Sequence, residues 1–154
     1  MRIKILSIGK SKQNFIEEGL QEYLKRLSKY SKIEIKSLPD MKLSKTNTIA
    51  IVKDKEADIL EKYFKQGNYI IALDENGRQF KSTEFARFIE KIKGKNDIIF
   101  IIGGVYGLSE KILSRANLVL SFSKFTFTHQ MIRLILLEQL YRTFTIIEGK
   151  KYHY

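Results

Sequence analysis

The chain has 154 residues, 44% of them apolar, enough for one domain that buries roughly two thirds of its unfolded surface without a staple. Its 28 basic against 17 acidic residues give a formal charge of +11, which points to a polyanion such as nucleic acid or an anionic membrane surface, with solubility as the plainer explanation. Cysteine is absent, so disulfides, thiolate catalysis and Cys-ligated zinc are excluded.

Arg2 to Ile8 alternates polar and apolar residues as a strand does and lacks the unbroken apolar core of a signal peptide. Phe15, Ile16, Leu20, Tyr23, Leu24, Leu27 and Tyr30 then recur at helical spacing, and a second strand, Ile33 to Leu38, stops at the single proline, Pro39. A polar loop from Lys42 to Thr48 precedes an amphipathic helix carrying Val52, Ile59, Leu60, Tyr63 and Phe64, with Gly67 as its carboxyl cap. A third strand, Tyr69 to Leu73, leads into a turn at Asp74-Glu75-Asn76-Gly77. Ser82 is placed to cap a helix with Glu84 in its first turn and Phe85, Phe88, Ile89 and Ile92 on one face. The apolar run Ile98 to Ile102 predicts a strand buried on both faces, emptying into the glycine turn Gly103-Gly104-Val105-Tyr106-Gly107. Ser109 caps a short helix through Arg115, Leu118 to Phe122 is a fifth strand, and His129 to Ile147 is the last helix. No run reaches the roughly 20 apolar residues of a membrane span, and the simplest location is the cytoplasm.

Strands alternate with helices, so the fold class is α/β, with a mainly parallel sheet of five to six strands and helices on both faces. The last helix is apolar nearly all round, which calls for cover on more than one side, either from the chain's own core or from a second copy in a homodimer. The glycine turn is neither a dinucleotide fingerprint, since Val105 stands where glycine is needed, nor a phosphate-binding loop, since no Gly-Lys-Ser/Thr follows. A buried strand ending in glycines is still where α/β proteins bind ligands, although such turns also serve simply to pass a strand tightly into a helix. The segment Phe122 to Thr128 reads by spacing as an extension of the fifth strand, or as a second loop beside the glycine turn sharing one pocket with it. His129 and His153 have no ligand partners at useful spacing, so no metal is expected.

Three motifs carry a resemblance: the G-G-x-x-G-L turn at Gly103, the T-x-x-H-Q-x-x-R-x-x-L-x-E-Q-L-Y-R pattern from Thr126 to Arg142, and the terminal Tyr152-His153 pair. With them the whole chain resembles the ribosomal RNA large subunit methyltransferase H family, within the SPOUT class of knotted methyltransferases. The resemblance implies a deep carboxyl-terminal trefoil knot, a homodimer, S-adenosylmethionine as cofactor, and methylation of N3 of a pseudouridine in 23S rRNA. It implies a cofactor site at Leu73, Gly103 and the six residues Phe122, Ser123, Lys124, Phe125, Thr126 and Phe127, with Lys124 facing outward because a cation repels a sulfonium. Two positions depart from the family pattern, Thr128 where proline is common and Tyr154 where a basic residue is common.

Methyl transfer to an imide nitrogen needs aim and a proton acceptor. His153, on a tail between two tyrosines, is the candidate acceptor, and His129 is a second, which serves equally as a helix-start anchor. Arg133, Arg142 and Tyr152 are candidate RNA contacts, with Glu138 as an ion-pair partner holding the two arginines, which alternatively brace a dimer. Two other readings stay open: a SPOUT enzyme acting on transfer RNA, and a noncatalytic basic RNA-binding module.

Overall fold

Ile3 and Ile5 of the first strand are buried on one face and Leu6 and Ile8 on the other, so this strand lies inside a sheet covered on both sides. The computed structural model describes residues 1–95 and 97–153. Its elements run β1 (Arg2–Ile8), α1 (Asn14–Leu27), β2 (Lys32–Leu38), α2 (Ile49–Glu61), β3 (Tyr69–Arg78), α3 (Ser82–Ile92), β4 (Ile98–Ile102), α4 (Glu110–Arg115), β5 (Leu118–Leu120) and α5 (His129–Ile147). Among the described residues the strands form one five-stranded sheet in spatial order β2-β1-β4-β3-β5, with every pairing parallel. Phe100 of β4 sits at the centre, opposite Ile5 on one side and Ile71 on the other.

Helices α1, α3 and α5 cover one face: Ile16, Leu20, Phe85, Ile89, Leu136, Leu137 and Leu140 pack on Ile3, Ile5, Ile71 and Phe100. Helices α2 and α4 cover the other, where Ala57, Leu60 and Ile112 meet Leu6, Ile8, Ile70, Ala72, Ile99 and Ile101. The apolar circumference of α5 is thus largely met inside the chain, because α5 lies on the sheet between α1 and α3. Gly19 permits that closeness, since a Cβ there would stand 2.8 Å from Leu134 Cδ1. Met131 remains exposed.

Four sequence expectations are corrected. β3 does not end at Leu73 but resumes at Arg78: both residues pair with Leu120, so Asp74–Gly77 loop out of register between them, with the Asn76 amide donating to the Asp74 carboxylate at 2.9 Å. Glycine makes this possible, because a Cβ on Gly77 would lie 2.7 Å from the Val119 backbone. β5 ends at Leu120 instead of Phe122, since Ser121 donates its amide to the Arg78 carbonyl and its hydroxyl to the Ser123 carbonyl, folding the chain into a loop. Lys81, not Ser82, precedes the first turn of α3, and its amide donates to the Glu84 carboxylate at 3.0 Å. α2 stops at Glu61, so Gly67 is not its cap; its φ of 83° serves a later turn.

Candidate functional site

The carboxyl ends of β3, β4 and β5 lie side by side, so Leu73, Gly103 and the loop after Leu120 converge, as ligand-binding loops do in parallel sheets. The glycine turn between them is closed by the Gly107 amide donating to the Gly104 carbonyl at 3.1 Å, with Gly107 at a φ of 78°. A Cβ on Gly103 would stand 2.8 Å from the Gly107 carbonyl carbon and 3.0 Å from the Leu108 nitrogen. Glycine at 103 is therefore required by the turn's own backbone. On its other side the turn rests on α2, where the buried Glu56 carboxylate accepts the Met41 amide at 3.1 Å. Burial raises the pKa of Glu56, with Asp40 adding to the effect and the Met41 amide opposing it.

These segments enclose a cavity of about 440 Å³, of the size that takes a small ligand or cofactor. Of the expected cofactor residues, Leu73, Gly103, Phe122, Ser123, Phe125, Thr126 and Phe127 all stand on its wall. Lys124, in the same loop, is exposed and is not on that wall. The loop is held by the Ser123 hydroxyl accepting the Phe125 amide at 3.0 Å, and it ends at Thr128, whose hydroxyl accepts the Met131 amide at 3.2 Å. Threonine at 128 thus supplies the amino-terminal cap of α5.

Sequence reasoning missed the polar half of the wall, formed by Lys53, Asp74, Glu75 and Asn76, and it missed Tyr106. Asp74 and Glu75 directly follow Leu73 at the end of a buried strand, which is the sequence signal that could have found them. Lys53 arrives from α2 by tertiary packing alone, with no local signal. The outcome is a cavity with an apolar side, including Ile102, Leu120 and Ile132, and a polar side with two carboxylates and the single Lys53 amine, inside a protein of charge +11. That combination fits an amphipathic ligand bearing positive charge.

His129 also lines the cavity, at the first residue of α5, with Nε2 3.2 Å from where a Cβ on Gly9 would lie. Burial lowers its pKa, the Arg133 charge lowers it further, and the Lys10 carbonyl opposes the shift, so the ring is neutral at physiological pH. Arg133, expected as an RNA contact, is only 2% exposed and lies beneath α5. Its guanidinium donates to the Gly9 carbonyl at 2.5 Å, and to the Ile8 carbonyl and Ser37 hydroxyl at 3.4 Å. In this conformation it cannot meet a phosphate. It ties the end of β1 to α5, and it is not the partner of Glu138.

Glu138 holds Arg142 instead, at 2.6 Å, and also accepts the Tyr152 hydroxyl at 3.3 Å. Tyr152 packs edge-on against Tyr141 with ring centroids 4.7 Å apart, and His153 Nδ1 lies 3.4 Å from Arg142. Burial raises the pKa of the Tyr152 phenol, and Tyr23 and Glu138 add to that shift. Arg142, Tyr152 and His153 thus form one cluster, far from the cavity: 13 residues of α5 separate Arg142 from His129, about 20 Å at the rise of an α-helix. Tyr154 lies outside the described residues.

A family model described as "Predicted SPOUT methyltransferase" matches residues 1–153. The chain belongs to the SPOUT methyltransferase family. It is 46% identical over 158 residues to a Ribosomal RNA large subunit methyltransferase H of Clostridium botulinum, covering 99% of each chain. A protein of the same name from Pelotomaculum thermopropionicum is 46% identical over 157 residues, covering 99% of this chain and 98% of that one. Among solved structures, a probable methylase family protein from Haemophilus influenzae superposes with a TM-score of 0.57 at 13% identity, over 99% of this chain and 70% of that one, a likeness of fold. Family membership implies a methyl-donor cofactor. Among the described residues no group of side chains is arranged to hold a metal ion, and no helix is long and apolar enough to cross a membrane.

Proposed function

We propose that this methyltransferase uses S-adenosylmethionine to methylate N3 of a pseudouridine in 23S rRNA, acting on the large subunit or ribosome as a homodimer in the cytoplasm. The observation that carries the reading is the cavity itself: an apolar wall suited to adenine and two carboxylates suited to a cation, in a chain whose overall charge of +11 favours an RNA partner. The near-full-length similarity to proteins named Ribosomal RNA large subunit methyltransferase H supports the choice of ribosomal over transfer RNA.

When bound, S-adenosylmethionine supplies an electrophilic methyl group on a sulfonium. Leu73, Leu120 and Phe122 would hold its apolar part, and Asp74 and Glu75 its positive charge. His129, neutral and packed on Gly9, fixes the start of α5 against the cavity. The imide proton at N3 needs an acceptor, and His153 takes that role. Because His153 lies at the other end of α5 from the cavity of its own chain, the working pair is the cavity of one copy and the tail of another, as a twofold dimer allows. The Arg142 and Tyr152 beside it then reach the RNA. The carboxyl-terminal trefoil knot belongs to the same reading.

Ribosomes lacking the modification, incubated with labelled S-adenosylmethionine, are expected to take up label in 23S rRNA, while transfer RNA takes up none. Label in transfer RNA alone would favour the other SPOUT chemistry. Absence of both label and cofactor binding would favour the noncatalytic module.

A further inference from the structure

The cavity has a deep part and a rim. Ile102 and Leu120 at the strand ends are almost wholly buried, whereas on the rim Tyr106 is 36% exposed and its neighbour Val105 78%. Phe125, on the separate loop after β5, is 82% exposed and stands on the same wall. Nine aromatic rings contact one another: Tyr23, Tyr30, Tyr141, Tyr152 and Phe144 form one chain of contacts, and Tyr69, Phe80, Phe85 and Phe88 another. Among the described residues none of the rings on the cavity wall, Tyr106, Phe122, Phe125 and Phe127, stacks on another ring, and Tyr106 is the one carried by the closed glycine turn. A planar side chain held at the solvent margin of a ligand cavity is a ready platform for a planar partner.

We propose that Tyr106 is the platform on which the target base of the RNA stacks, aiming the reacting edge inward toward the methyl donor. This rests on the reading of the cavity as the site of methyl transfer to an RNA base. A base can reach such a cavity only when taken out of its stack, and proteins hold splayed bases on exposed aromatic rings. Adenine of the donor has the deep apolar wall, so the rim is left for the acceptor. Tyr106 suits the task better than Phe125 because its turn is rigid: the Gly107 amide closes onto Gly104, and Gly103 packs without room for a Cβ against Gly107 and Leu108. Lys53, on the same wall, and Lys124, adjoining Phe125, are cations placed for the flanking phosphates. The hydroxyl of Tyr106 has no part in the role; the ring does.

The test compares Y106L, Y106F and Y106W in steady-state methylation of ribosomes, with calorimetric titration of S-adenosylmethionine and a thermal melt for each. Y106L keeps an apolar side chain but loses the flat face, and is expected to raise KM for ribosomes between about 5- and 100-fold with donor affinity unchanged. Y106F and Y106W are expected to keep the wild-type KM. The proposal is overturned if Y106L leaves KM unchanged, if Y106F is as damaged as Y106L, or if donor affinity weakens in step with KM, which would make the ring a wall for the donor. Should Y106L melt early, Y106W decides alone, and a raised KM there overturns the proposal. Wild-type protein that binds the donor yet methylates no RNA removes the parent reading and this one with it, whereas an active wild type with an unaffected Y106L removes only this one.

Discussion

Replacing Gly103 by alanine inserts one methyl group where the turn has no room. The new Cβ would lie 2.8 Å from the Gly107 carbonyl carbon, 3.0 Å from Leu108 N and 3.1 Å from Gly107 O, against the 3.4 Å at which ordinary contact begins. All three neighbours are backbone, so relief requires opening the turn and stretching the bond from the Gly107 amide to the Gly104 carbonyl. Overpacking of this kind costs about 1–3 kcal/mol and the weakened hydrogen bond about 1 kcal/mol, while alanine returns about 0.5 kcal/mol by stiffening the unfolded chain. The net expectation is a loss of about 1.5–3.5 kcal/mol, or a fall in Tm of about 3–14 °C for a chain of this size. Because the same turn forms the cavity wall, donor affinity should fall by roughly tenfold or more. Differential scanning calorimetry and isothermal titration measure the two effects. Gly94, with nothing within 4 Å of its Cβ position and no positive φ, is the control, and G94A should leave both quantities near wild type. A G103A protein with unaltered Tm and unaltered donor affinity would refute the reasoning.

Arg133→Met should destabilise the chain by about 2 kcal/mol in denaturant unfolding, because the Ile8 and Gly9 carbonyls lose a buried donor; unchanged stability with weakened RNA binding would return Arg133 to the RNA surface. The lowered pKa of His129 means the folded state binds a proton there less readily than the unfolded state, so its contribution to stability is present above about pH 6.5 and is lost as the pH falls through the folded-state value. Unfolding measured from pH 8 to 5 should show that decline, and His129→Gln should flatten it; an unchanged slope would mean another group is responsible. Deleting residues 151–154 should abolish methylation and leave the titration with S-adenosylmethionine unchanged, and retained activity would remove His153 from the reaction.

Element order and sheet class were legible because the chain switches cleanly between periods: β4 is apolar at every position and α1 and α3 show single apolar faces. What local pattern could not convey were the contacts made by neighbours distant in sequence. Asp74–Gly77 carries the composition of a turn and does loop out of register, yet β5 runs beside it and Gly77 meets the Val119 backbone at close range, so the strand resumes at Arg78 instead of ending at Leu73. Arg133 looks in sequence like one of two cations on a polar stripe, and only packing distinguishes the buried guanidinium from Arg142. The expected cofactor positions Leu73, Gly103 and Phe122 to Phe127 rest on motif resemblance, because glycine and phenylalanine in loops have no chemistry that identifies a ligand alone. Lys53 belongs to no such motif and Tyr106 stands at an unspecified position of the glycine turn, so both became visible only as cavity walls.

The most direct measurement is the position of the transferred methyl group. Ribosomes carrying pseudouridine at the target site, and matched ribosomes carrying uridine there, are incubated with the protein and isotopically labelled S-adenosylmethionine, and the nucleosides of 23S rRNA are separated and analysed by mass spectrometry. The expected result is a single labelled nucleoside, N3-methylpseudouridine, from the first ribosomes and none from the second, lost in the tail deletion and reduced in G103A. Label at another atom or another nucleoside, or equal labelling of both ribosomes, would contradict the assignment.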